Sequence, residues 1–324
     1  MAKNLDKVKE QRAEIVARIM EDMERDGLEW AKDWQGAAAP YNAASGEPYH
    51  GINRLHLSAM AAAKGYGDPR WATFAGGKRL GWKLRRGERA CIVEYWKQVS
   101  AKSPEGGEGE DADEGGEQVR RPIWRCVGYW NVFNAEQFEG VEPLAADCGP
   151  AAADAAGELA DALEGSSRCP VDERAGLVPC YVPAADEVRM PPRGEFSTGN
   201  EGFCATLLHE MAHSTGHPSA LGREQGGGFG SAPYAFEELV AELASVFACA
   251  DLGLSAQADP ESPHYLSHVA YVKSWLRGLE EDPDALFRAA GLAQKAADFV
   301  TGRLPGQFRP KRAGGEGSQK GEAA

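Results

Sequence analysis

The sequence predicts an α+β protein of two domains, and three observations lead to that class. Apolar residues recur at helical spacing at the start of the chain and through most of its second half. Two runs rich in β-branched and aromatic residues, 90–99 and 123–133, read as paired antiparallel strands. Composition breaks twice, at 102–118 and again from Val141 to about Ala153, and the second break divides the chain near its middle.

Taken in order, Leu5, Val8, Ile15, Ile19 and Met23 stand among charges between Leu5 and Leu28, the pattern of an amphipathic helix. Gly, Pro and Asn concentrate from Gln35 to Asn53, which reads as loop. The two strand runs form a hairpin whose tip is 102–118. There Glu105, Glu108, Glu110, Asp111, Asp113, Glu114 and Glu117 lie among glycines, and a stretch that buries nothing is expected to be disordered. A first, small domain with an antiparallel hairpin or sheet is therefore expected over 1–142, with a linker at 143–153. The second domain, 154–309, reads as mainly helical with a short sheet. Its expected elements are a helix at Asp154–Leu163, a strand near Asp186–Met190, and helices at Ala235–Ala250 and Pro263–Leu279. Residues 310–324, rich in Gly, Lys and Glu, are expected to be a disordered tail.

Hydrophobic residues make up 43% of the 324 and charged residues 26%, ordinary values for a soluble chain with a sizeable core. The formal charge of −14, taken over the whole chain, argues against a nucleic-acid binder. Seven cysteines form no CxxC pair and are odd in number, which fits free thiols in a reducing cytosol. The first thirty residues lack a signal peptide's apolar core, and the best apolar stretch, Leu239–Leu254, contains Glu242 and Asp251. A cytoplasmic protein without a membrane partner is expected.

The sharpest chemical signal is His209-Glu210-Met211-Ala212-His213. On a helix the two histidines are one turn apart on one face, the spacing two imidazoles need to share a tetrahedral ion. Glu210 lies beside them and is placed to take a proton from an acidified water. A catalytic zinc takes three protein ligands, so a third is required. Glu237, Glu238 and Glu242 lie downstream inside an apolar run, where an unpaired carboxylate is costly. Glu238 is the expected ligand, Glu242 the expected partner behind a ligand histidine, and Glu237 the competitor for the ligand role. His217 is excluded: on a continued helix it would lie about 12 Å from His209, and Gly216 and Pro218 end the helix first. Zn2+ suits the donor types, with Mn2+ as an alternative.

HExxH followed by ExxxE resembles the gluzincin class of zinc metallopeptidases. That resemblance implies a polypeptide substrate, catalysis by Glu210, and a Tyr or His that steadies the oxyanion. His268 is the first candidate and Tyr271 the second; both share a helical face with Trp275, which competes as a plain packing face.

The front half has a different character. Seven of the eight tryptophans lie in the first 130 residues, and from Trp30 to Lys97 eleven basic residues face five acids. Aromatics interleaved with Lys and Arg suit a single strand, whose unstacked bases need π-faces and whose phosphates need cations. The competing reading is a tryptophan core with solvated cations around it.

The runs Trp34…Pro40-Tyr41-Asn42…Tyr49-His50-Gly51-Ile52-Asn53, Asp68-Pro69-Arg70-Trp71-Ala72-Thr73-Phe74 and Gly81-Trp82-Lys83-Leu84-Arg85-Arg86-Gly87-Glu88 resemble the N-terminal domain of ArdC-type antirestriction proteins, which also occurs in TraC-type primases. The HExxH region, Glu237–Glu242 and Ser274-Trp275-Leu276 fit the same family. The resemblance implies a sequence-tolerant single-stranded-DNA module joined to a zincin-like metallopeptidase domain, carried by mobile elements to shield incoming DNA. Candidate DNA contacts are Trp34, Asn42, Tyr49, Asn53, Arg70, Trp71, Lys83, Arg85 and Arg86. Two rival functions stand beside it: a cytosolic zinc protease whose first domain binds a protein, and a DNA-coating protein with a structural metal.

Overall fold

The computed structural model describes residues 2–27, 38–100, 122–144, 155–223, 225, 231–254 and 263–309; the side chains of 2–8, 98–100, 122–125 and 263–271 fall outside that description. The acidic 102–118, most of the expected linker and the tail therefore lie outside the described residues, as does Trp34. The fold is α+β in two domains.

Helix α1 (Ala2–Asp26) opens the chain and buries Ile15, Val16, Ile19 and Met23. After β1 (Tyr41–Asn42), the expected loop ends early, because α2 (Gly51–Lys64) begins there. The N-cap of α2 has no side-chain bond of its own; the Gly51 N–H donates instead to Gln294 Oε1 of the last helix. Gly51 has φ +55° and its missing Cβ would lie 3.6 Å from Gly291, so a side chain here would be both strained and crowded. Gly65, in the left-handed region, closes the helix.

Strand β2 (Arg70–Thr73) runs straight into α3 (Phe74–Arg79), whose N-terminus Thr73 caps through Gly76 N. A Cβ at Gly77 would lie 2.6 Å from the Phe138 ring, so glycine is what lets α3 sit this close to the sheet. The strands β3 (Lys83–Leu84), β4 (Cys91–Ser100), β5 (Pro122–Asn134) and β6 (Phe138–Glu139) follow. The main sheet has the order β1-β2-β5-β4, with β4 and β5 antiparallel in the long hairpin read from the sequence. Its core is small: Leu57, Trp71, Cys91, Val93 and Val132.

In the second half, α4 (Ala155–Ser166) leads to a three-stranded sheet of β7 (Val171–Glu173), β8 (Cys180–Val182) and β9 (Glu187–Met190), ordered β7-β9-β8. Four helices complete the fold: α5 (Gly199–Ser214), α6 (Ala232–Leu252), α7 (Pro263–Glu281) and α8 (Asp284–Thr301). Nearly every residue of α5 is buried, between α6, α4 and the edge strand β8. α6 is capped by Ser231, which accepts from Tyr234 N, and ends at left-handed Gly253.

The large core ignores the composition break. Ile15, Ile19 and Met23 of α1 and Ile52, Leu55 and Ala59 of α2 belong to one cluster with the apolar residues of α4 to α8. Arg54 fastens the join: it pairs with Asp251 at 2.8 Å, donates to the Phe247 carbonyl at 2.7 Å and lies over the Phe247 ring. Among the described residues all six cysteines are free, and no helix is long and apolar enough to cross a membrane.

Candidate metal centre and nucleic-acid surface

α5 and α6 lie against each other, joined by a hydrogen bond from Ser245 Oγ to the Ala205 carbonyl, and the metal-ligand candidates meet across that contact. His209 and His213 project from one face of α5, with their Nε2 atoms 3.2 Å apart. Glu238 of α6 turns Oε2 toward both, 3.6 Å from each Nε2. Ligand bonds of about 2.1 Å at tetrahedral angles require donors about 3.4 Å apart. Two imidazoles and one carboxylate at these separations therefore fit a single divalent ion, and they form one cluster among the described residues.

The outer nitrogens of the same histidines are also met by carboxylates. Glu242 Oε2 lies 3.4 Å from His209 Nδ1, and Glu237 Oε1 lies 3.5 Å from His213 Nδ1. Glu237 is held in turn by Arg223, a bidentate pair at 2.6 and 3.1 Å. Arg223 also donates to the Ala212 carbonyl and to Thr215 Oγ1, so it secures the end of α5 as well. The spacing in the sequence gave no sign of Arg223, which stands in the loop between α5 and α6.

Electrostatics point the same way. Burial works against charge on His209, but Glu238 and Glu242 outweigh it and hold the imidazolium up to about 9. Burial likewise opposes His213, which Glu238 and Glu237 carry well above its usual value. Burial would raise Glu238, yet the two imidazolium charges pull it far below the carboxylate range. Two positive charges are thus stabilised at one point between carboxylates, the charge a dication brings.

Glu210 is buried beside this cluster. Burial raises its pKa, the neighbouring histidines oppose the rise, and the Tyr181 backbone N–H of β8 bonds to it. β8 is held in place by a network the sequence reading also missed. Arg168 donates to the Ser214 carbonyl and pairs with Asp186, and Asp186 accepts from the Tyr181 hydroxyl at 2.8 Å. His217 lies past the end of α5 and bonds Ser219 Oγ, away from the cluster. The side chains of His268 and Tyr271, on α7, lie outside the described residues. Trp275 is buried and donates to the Ala235 carbonyl, a packing residue.

The DNA-contact candidates divide. Lys83, Arg85 and Arg86 are exposed; Lys83 has Glu139 at 3.6 Å, and Arg85 donates to the Glu136 carbonyl. Trp71 requires a correction: it is completely buried in the sheet core and has no face to offer a base. Asn53 is occupied at both ends of its amide by the backbone of Glu94, and Asn42 accepts from Ala44 N and Ser45 N in a local turn. Arg70 is paired with Asp68 and lies over the Trp82 ring. Tyr49 is half-buried against the sheet core, and burial pushes its hydroxyl up to about 12. These four fit structural roles better than exposed contacts.

The chain is similar to known proteins along most of its length. Residues 158–292 match the zincin-like metallopeptidase family, and residues 9–133 match the N-terminal domain of the anti-restriction factor ArdC. The metal-free crystal structure of the antirestriction protein ArdC from plasmid R388 is similar with a TM-score of 0.68 at 33% identity, covering 90% of this chain and 97% of that one. The chain belongs to the ArdC-type antirestriction family. Another relative of the ArdC-type chain, the uncharacterized protein y4eC of Sinorhizobium fredii, is 34% identical over 293 residues, 89% of each protein. Two DNA primases TraC of Escherichia coli are 35% and 34% identical, and the chain spans 26% and 20% of their lengths. The R388 ArdC is also known in a Mn(II)-bound structure, of TM-score 0.67. The zincin-like fold and the donor set imply a divalent metal in this ArdC-type chain too.

Proposed function

We propose that the protein is an antirestriction factor that binds single-stranded DNA through its first domain and carries a zinc peptidase site in its second. The observation that carries the peptidase reading is the convergence of His209, His213 and Glu238 with Glu210 buried alongside. A zinc ion held by those three would polarise a peptide carbonyl and acidify a water. Glu210 would take a proton from water as its oxygen bonds to the carbonyl carbon, and would pass that proton to the amine nitrogen as the C–N bond breaks. Its burial beside the cluster keeps that proton away from bulk water. Glu242 and Glu237 keep the two imidazoles turned with Nδ1 outward and Nε2 inward. The exposed cations Lys83, Arg85 and Arg86 support the DNA-binding part by offering charge to phosphates.

The test is protection of incoming DNA from restriction in cells, comparing wild type with Glu210→Gln and with a Lys83, Arg85, Arg86→Ala triple variant. Loss of protection in both supports the combined function. Full protection by Glu210→Gln rejects a need for hydrolysis, and full protection by the triple variant rejects the basic surface.

A further inference from the structure

Trp71 is in the core, yet the sheet does present aromatic rings to solvent. Trp130 on β5 is 59% exposed and Tyr95 on β4 is 44% exposed. Across the hairpin Tyr95 is paired with Gly128 and Val93 with Trp130. Opposed residues share a face, and so do residues two apart on a strand. Tyr95, Gly128 and Trp130 therefore stand on one face, with the two rings diagonal to each other. Nothing lies within 4 Å of where a Cβ on Gly128 would be, so the space between the rings is open. Diagonal neighbours in a sheet are about 7 Å apart, room for a flat group between them. The covered part of the same face ends at Val93, which is buried under α2 together with Leu57.

A cation stands beside this opening. Lys97 is exposed, with its ammonium 5.4 Å from the Tyr95 ring centre. The nearest acid on β4, Glu94, is already bound by Arg12 at 2.6 Å on the opposite face.

We infer that Tyr95 and Trp130 form the base-stacking platform of the DNA-binding surface, with a nucleobase lodged over Gly128 and a phosphate beside Lys97. This rests on the single-stranded-DNA reading above and names the rings that serve it. A duplex already stacks its bases, so the platform selects unpaired strands.

Labelled oligo(dT) binding to the full chain, followed by fluorescence anisotropy over a range of salt, tests the assignment. Trp130→Ala is expected to weaken binding about tenfold or more, and Tyr95→Ala with it further, while Trp130→Phe restores most of the affinity. The dependence of affinity on salt should be unaltered in these variants but shallower in Lys97→Ala, because only the latter removes a phosphate contact. If wild type fails to bind oligo(dT), the DNA-binding function itself falls. If wild type binds and the Tyr95, Trp130→Ala double variant, folded by thermal unfolding, binds equally well, the platform is elsewhere and this inference is overturned.

Discussion

Glu237, Glu238 and Glu242 lie within a turn and a half of α6 and do three different things. Glu238 faces both inner nitrogens, Glu242 stands behind one ligand, and Glu237 stands behind the other while holding Arg223. The ExxxE spacing made the cluster legible, but adjacent helical positions differ by about 100° and only the contact with α5 decides which carboxylate points inward. Calorimetric titration with Zn2+ or Mn2+ separates the roles. Glu238→Ala is expected to abolish measurable uptake, whereas Glu237→Gln and Glu242→Gln each weaken it by about 10- to 100-fold. Equal losses in all three would reject this division. Trp71 makes the opposite point, because its place among basic residues suggested a stacking surface. Trp71→Ala should cost about 3–5 kcal/mol in urea unfolding, the signature of an emptied core site.

At the scale of elements, the hairpin and the long C-terminal helices were legible because their residues repeat a single period. α2 was not. Leu55 is buried in the large core and Leu57 in the sheet core, so its apolar residues point in two directions and no one-sided stripe results. The same helix closes the free edge of β4: Asn53 bonds both the N–H and the carbonyl of Glu94, and His56 bonds the Ile92 backbone. Burial lowers His56 from 6.5 to about 4. In that interval the unfolded chain carries the proton and the folded chain does not, so stability falls as pH drops through it. The contribution is intact above pH 6.5 and its loss approaches about 3 kcal/mol near pH 4. Urea midpoints measured across this range should show a steeper decline for wild type than for His56→Gln; parallel curves would remove the assignment.

At the scale of the whole molecule, the break in composition near residue 150 does not correspond to a gap in the packing. A sequence displays where chain polarity changes, but it does not display which apolar faces find each other across 200 residues. The faces of α1 and α2 rest on helices from the other half. Calorimetry of the full chain is therefore expected to give one cooperative transition, and a fragment of residues 1–142 should be poorly soluble or molten by near-ultraviolet dichroism. Two well-separated transitions, or a fragment with a native-like spectrum, would contradict a shared core.

The consequence reaches anyone who wishes to recombine such proteins. A gene fusion cut at the alanine-rich junction would leave Ile19, Met23 and Leu55 to dock on a foreign surface, and would strand Arg54 without Asp251. Exchanges between relatives should survive only when both mating surfaces travel together, so the visible seam in the chain is the wrong place to use scissors.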